Sequence, residues 1–202
     1  MVLLILEIMK QAKAIADGGW YPLWALPFQL CSVPIYLMPL VAFGPKKLSA
    51  FVAPGCFTIN LFAALAMLAY PSTVLGTTDT WFPLVGNYYP IVSWSFHGTM
   101  IFFSLYLLFS KQYTPRLRDY PRAYLTMVFF AIIAIIANAI WNTDMMFLNT
   151  AYGMPFGFIL YDYGRAAYWI FMAVLAFIVL GIPFFVAAFL PKRRAAKEIV
   201  SA

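Results

Sequence analysis

Five stretches of this chain, roughly Trp24 to Gly44, Leu48 to Tyr70, Tyr88 to Ser110, Tyr124 to Trp141 and Ala167 to Leu190, are mostly apolar over about 18 residues or more. As helices, each reaches across a hydrocarbon layer of roughly 30 Å, and a water-soluble fold has no use for five of them. The expected fold is therefore all-α, a polytopic transmembrane helix bundle. A further apolar segment, Val2 to Ala16, is uninterrupted only as far as Met9 and reads as a short N-terminal helix rather than a full span. Composition agrees, because 10% of the 202 residues are charged, against about 25% in a soluble domain. No linker, repeat or low-complexity tract divides the chain, so residues 1–202 read as one transmembrane domain ending in a basic tail at 191–202.

The net charge of +6 raises the question of nucleic acid, and the placement of the basic residues answers it. Lys46 and Lys47 follow the first long span, Lys111, Arg116, Arg118 and Arg122 the third, and Lys192, Arg193, Arg194 and Lys197 the last. Residues 71–87 hold no Lys or Arg, and residues 142–166 hold only Arg165, with Asp144 and Asp162. By the positive-inside rule the three basic segments and the C-terminus are cytoplasmic. Such clusters fit anionic headgroups, so the expected partners are membrane lipids and not nucleic acid. A bacterial cell membrane is the expected location. Lys10 and Lys13 fit the rule less well, since they approach the far side if Val2–Ala16 runs outward.

Polar side chains are costly in lipid, which makes each one inside a span a functional candidate. Cys31 lies seven residues past Trp24, and His97, the one histidine, lies nine past Tyr88, depths of roughly 10 and 13 Å from one surface. Asn138, Asn142 and Asp144 end the fourth span on that side. Histidine can take the proton of a thiol, whose thiolate then attacks an acyl carbon. Cys31 and His97 are accordingly the candidate nucleophile and base. Asn138, Asn142 and Asp144 are available to orient the imidazole or bind substrate, and Gln29 and Ser32 to donate to an oxyanion. Spacing alone is equally compatible with a packed cysteine and a histidine bonded to a neighbouring helix. Cys56, near the opposite end of its helix, reads as structural. No closed metal-ligand set, nucleotide-binding glycine motif or other cofactor signature is present. In the alternative, non-enzymatic reading, His97, Asn142 and Asp144 bind solute in a membrane subunit of a small-molecule transporter. Pro27, Pro34 and Pro39 around Cys31 predict a bent or locally open helix, and the apolar pieces within 142–165 predict an interfacial or re-entrant segment.

The ordered set Leu26-Pro27-Phe28-Gln29-Leu30-Cys31, His97-Gly98, Leu105-Tyr106-Leu107, Asn138 and Asn142 with Met146-Phe147-Leu148, then Pro155 and Tyr161-Asp162-Tyr163-Gly164, resembles the YwaF-like integral membrane proteins over roughly residues 20–180. Their relatives include transmembrane acyltransferases of ether phospholipids and, more distantly, androgen-induced hydrolases of fatty-acid esters. The resemblance implies lipid-directed acyl transfer or ester hydrolysis, with Cys31 matching the nucleophile and His97 the base. Where the family usually has Asn-Tyr before its Met-aromatic-Leu run, this chain has Thr143-Asp144, so the resemblance assigns Asp144 no role. The family also usually opens with a further helix and a complete second one, which makes Val2–Ala16 the expected tail of that second helix.

Overall fold

A computed structural model describes residues 2–18, 23–70, 88–151, 154 and 156–189. The described residues form α-helices and 3-10 turns with no strand. The helices are α1 (Val2–Gly18), α2 (Val33–Phe43), α3 (Lys46–Ala69), α4 (Tyr88–Phe109), α5 (Tyr120–Trp141) and α6 (Phe158–Phe189). The expected all-α helical membrane bundle is the fold.

Among the described residues four regions, rather than the expected five, are long and apolar enough to cross a membrane: α3, α4, α5 with the turn before it, and α6. The expected span from Trp24 to Gly44 is interrupted. It comprises a 3-10 turn at Leu23–Ala25, another at Leu30–Ser32, and the 11-residue α2. Proline explains the break: Pro27 disfavours helix at the residue before it, and Pro34 sits in the first turn of α2, where its missing N–H costs nothing. α6 begins nine residues ahead of the expected start at Ala167, and its first turns are set off by Gly164 at φ 85°, ψ 171°. The tail at 191–202 and the loop at 71–87 lie outside the described residues.

Side-chain contacts fix the directions of the helices. Ser104 donates to the Phe57 carbonyl (3.2 Å), while Phe96 and Met100 pack with Ala63 and Ala64, so α4 runs antiparallel to α3. Tyr120 donates to the Phe177 carbonyl (2.5 Å) and Tyr124 to that of Ala173 (3.4 Å), which sets α6 antiparallel to α5. Tyr89, at the start of α4, bonds Asp17, at the end of α1 (3.0 Å), and Leu3 packs with Phe96 and Met100. α1 is therefore antiparallel to α4. One end of the bundle gathers Asp17, residues 23–32 and 141–151, and the start of α4. Lys46, Lys47, Lys111, Arg116, Arg118 and Arg122 gather at the other.

α3 is the central helix. Its apolar window is 67% buried, against 17% for α6, whose Ile170, Ile178, Ile182 and Phe189 stay exposed. Gly55, Ala63, Ala64, Ala123, Ala134 and Ala137 are buried, the small residues that let membrane helices approach closely. The two N-terminal lysines that fitted the charge rule poorly are each paired with an acid on α1, Lys10 with Glu7 at 2.9 Å and Lys13 with Asp17. Lys13 and the Tyr89 hydroxyl together hold the Asp17 carboxyl below its usual range. At the basic end, burial pushes the Tyr113 phenol well above its ordinary value.

Candidate functional site

The segment after α5 turns back into the bundle, as its apolar pieces predict. Met145, Met146 and Leu148 are buried and share a core with Val33, Leu37, Cys56 and Ile59. Such a turn has backbone groups with no helical partner, and in a dry setting each needs one. Side chains supply them. Asn138 donates to the Met145 carbonyl (3.0 Å) and accepts from the Met145 N–H (2.6 Å) and the Thr143 hydroxyl (3.0 Å). Gln29 donates to the Asp144 carbonyl (3.2 Å) and accepts from the Met146 N–H (2.8 Å). Tyr168 and Trp169 of α6 donate to the Phe147 and Leu148 carbonyls at 2.9 and 2.8 Å. Asp144 accepts from the Asn149 N–H (2.8 Å), the Thr150 N–H (3.3 Å) and the Thr150 hydroxyl. These bonds hold Met146 and Phe147 in the left-handed region, at φ 57° and 55°, a conformation that costs on the order of 1–3 kcal/mol per residue outside glycine.

Four of the candidate residues thus belong to one construction. Gln29, Asn138 and Asp144 fasten the turn, and both polar atoms of the Gln29 amide are taken up by it. Asn142 closes α5 at φ 50°, ψ 46°, a left-handed cap that asparagine adopts more readily than most residues. Behind the turn lies a cavity of about 510 Å³, lined by Asn138, Asn142, Thr143, Asp144, Asn149, Thr150, Arg165 and Trp169 among others.

Cys31 lies two residues beyond Gln29, in the Leu30–Ser32 turn, and is partly exposed, while Cys56 is fully buried beside Asn60 at 3.7 Å. The open backbone predicted from the prolines is where the thiol sits. His97 is buried in α4, with Nδ1 2.8 Å from the Ser93 carbonyl. In the neutral ring a proton on Nδ1 satisfies that carbonyl and leaves the lone pair on Nε2. Leu30 and Phe96, the neighbours of Cys31 and His97, pack in one cluster. Among the described residues no hydrogen bond joins the thiol to the imidazole.

Sequence reasoning missed Glu7, Lys10 and Gln11 on α1, and Thr143, Asn149, Thr150, Tyr168 and Trp169 around the turn. The first group had a legible signal: three polar residues at i, i+3 and i+4 share one helix face, and on a short apolar helix that face needs a partner. The second had none, because which loop carbonyl meets which side chain depends on tertiary packing. Among the described residues no group of three His, Cys, Asp or Glu is placed to hold a metal ion.

An all-helical bundle with long apolar helices, one basic end, and one polar end where the chain re-enters defines an integral membrane protein. The chain belongs to the TMEM164 family, whose model matches residues 1–187. No curated protein and no solved structure matches it.

Proposed function

We propose that the polar end is an acyl-transfer site, related to that of the YwaF-like proteins and membrane acyltransferases, and working in a bacterial cell membrane. The observation that carries the proposal is the position of Cys31. Cys31 is a half-buried residue in a 3-10 turn, beside a second fastened turn. Cys56 in the same chain is sealed. Rigid placement with access is what a nucleophile needs and a packing cysteine does not.

Cys31 passes its proton to His97 Nε2, and the sulfur attacks the carbonyl carbon of a lipid ester. The new S–C bond replaces the ester C–O bond, and the leaving alkoxide takes the proton from His97. A second alcohol or a water then attacks the thioester and returns the thiol, giving transfer or hydrolysis. Catalytic hydrogen bonds commonly tighten only when substrate is bound, so the separation of thiol and imidazole is compatible with these roles. Gln29, Asn138, Asn142 and Asp144 act in this reading by holding the wall of the site. The basic end is left to bind anionic headgroups.

Incubated with vesicles of phospholipid labelled in the acyl chain, the purified protein is expected to move or release label. Cys31→Ser and His97→Ala are each expected to reduce the rate by at least about a hundredfold with the melting temperature retained. Equal turnover by Cys31→Ser would remove the assignment. The cavity at Asn142, Asp144 and Arg165 favours a second reading, a solute-binding transport subunit. That reading requires a polar solute to raise the unfolding temperature of the wild type and not of Arg165→Gln.

A further inference from the structure

The cavity behind the fastened turn carries two opposite charges that do not pair. Asp144 and Arg165 both line it, and neither takes part in an ion pair among the described residues. Asp144 accepts the Asn149 and Thr150 N–H groups on Oδ1 and the Thr150 hydroxyl on Oδ2. A carboxylate has about four lone-pair positions, so Oδ2 keeps room for a further donor. The Arg165 guanidinium makes no hydrogen bond among the described residues, and neither does the Asn142 amide, which lines the same cavity. Trp169, one turn beyond Arg165 on α6, lines it too, its indole N–H fixed on the Leu148 carbonyl (2.8 Å). Solvation by water is a sufficient account of an exposed arginine at the basic end of the bundle. It is not one here. Arg165 is the only lysine or arginine between residues 142 and 166, on the side where the positive-inside rule works against cations. It also follows Gly164, whose φ 85°, ψ 171° lies in a region open essentially to glycine alone.

We propose that the cavity binds a zwitterion, with its anionic group on the Arg165 guanidinium and the Asn142 amide and its ammonium against the Asp144 carboxylate and the Trp169 ring. Guanidinium and amide N–H groups donate to phosphate or carboxylate oxygens. A carboxylate and an indole ring together attract a primary or quaternary ammonium. At about 510 Å³ the cavity falls within the roughly 300–1,000 Å³ of small-ligand sites. Its walls are set before a ligand arrives, because Asn138, Thr143 and Asn149 are tied into the turn by hydrogen bonds of their own. A lone anion would meet the charge of Asp144 and a lone cation that of Arg165, so the cavity discriminates against both by repulsion. A phospholipid headgroup and a free solute such as glycerophosphocholine share the chemistry that this arrangement recognises.

The inference takes its cavity from the solute-binding reading and rests on neither transport nor the chemistry of Cys31. The full chain, delipidated in an uncharged maltoside detergent, is titrated calorimetrically with glycerophosphocholine, choline and glycerol phosphate. The zwitterion is expected to bind at least about tenfold more tightly than either half, as a second charged contact should allow. Arg165→Gln is expected to weaken glycerophosphocholine by at least about tenfold and to strengthen choline, because it removes the partner of the anion and the repulsion of the cation together. Opposite signs are the signature, since a merely loosened cavity would weaken both. Asp144→Asn is the mirror, weaker for the zwitterion and stronger for glycerol phosphate. Arg165 has no bonds in the fold to lose, so Arg165→Gln carries the test by itself if Asp144→Asn does not fold. Absence of glycerophosphocholine binding, equal affinity for the zwitterion and its halves, or same-sign changes in Arg165→Gln overturn the proposal. Reconstitution separates the two sources. The soluble zwitterion is expected to bind in phosphatidylglycerol vesicles. Its exclusion from phosphatidylcholine vesicles identifies the occupant as a lipid headgroup, and its retention there identifies a free solute. Zwitterion binding without Cys31-dependent turnover would remove the acyl-transfer reading alone, and such turnover without zwitterion binding would remove this one alone.

Discussion

Asn138→Ala is expected to cost about 2–4 kcal/mol of stability, from a buried N–H and a hydroxyl left without partners at roughly 1–3 kcal/mol each and a Met145 carbonyl left with only the long bond from the Leu148 N–H (3.4 Å), with water at the bundle end recovering part. The melting temperature in detergent should fall accordingly, and amide exchange at residues 143–149 should accelerate. Polar contacts between membrane helices average nearer about 0.6 kcal/mol, because the separated helices find other partners. Asn138 differs in what it serves. Its amide takes both the N–H and the carbonyl of Met145, and that backbone lies in a single irregular 3-10 turn whose one internal bond to the same carbonyl is long, 3.4 Å. Thr143→Val, which removes one of the same bonds and leaves the Met145 pair intact, should cost about 1 kcal/mol or less. Equal costs for the two variants would mean that the turn is held by its apolar packing, not by Asn138.

That turn marks the boundary of what the sequence discloses. The long apolar runs declared α3, α4, α5 and α6, since hydrocarbon enforces helix and length sets the span. They misled at Trp24–Gly44, where hydropathy registers apolar content and is blind to whether Pro27 and Pro34 leave the backbone continuous. The prolines carried the better signal, and they predicted the open segment that holds Cys31. The gathering of Cys31, Asn138, Asn142 and Asp144 at one end followed from counting residues along helices of known rise. The division of labour among them did not follow. Gln29 and Asn138 are legible as polar groups in lipid, yet only the folded chain has Gln29 bonding the backbone at residues 144 and 146 instead of facing a substrate. The N-terminal lysines posed a conflict with the charge rule, and the acids one turn away on the same helix resolve it.

Gly55→Ala is expected to be strongly damaging for so small a substitution. A Cβ there would lie 2.6 Å from the Thr126 Cβ, and 2.7 and 2.8 Å from its Cγ2 and Oγ1. Carbon atoms prefer separations of about 3.5–4.0 Å. The nearest clash is between two atoms fixed to backbone, so no rotamer relieves it, and α3 and α5 must part by about an ångström. Overpacking in a tight core costs about 1–3 kcal/mol, and here the upper end applies because α3 is the helix around which the others pack. The companion substitutions make the argument testable. Thr126→Ala removes Cγ2 and Oγ1 but keeps the Cβ, so it should restore little in the Gly55→Ala background. Thr126→Gly removes all three atoms and should restore most of the loss, less about 1 kcal/mol for glycine within a helix. A double-mutant cycle on melting temperatures separates these terms. Full rescue by Thr126→Ala would place the strain in the threonine side chain instead of in the approach of the two helices.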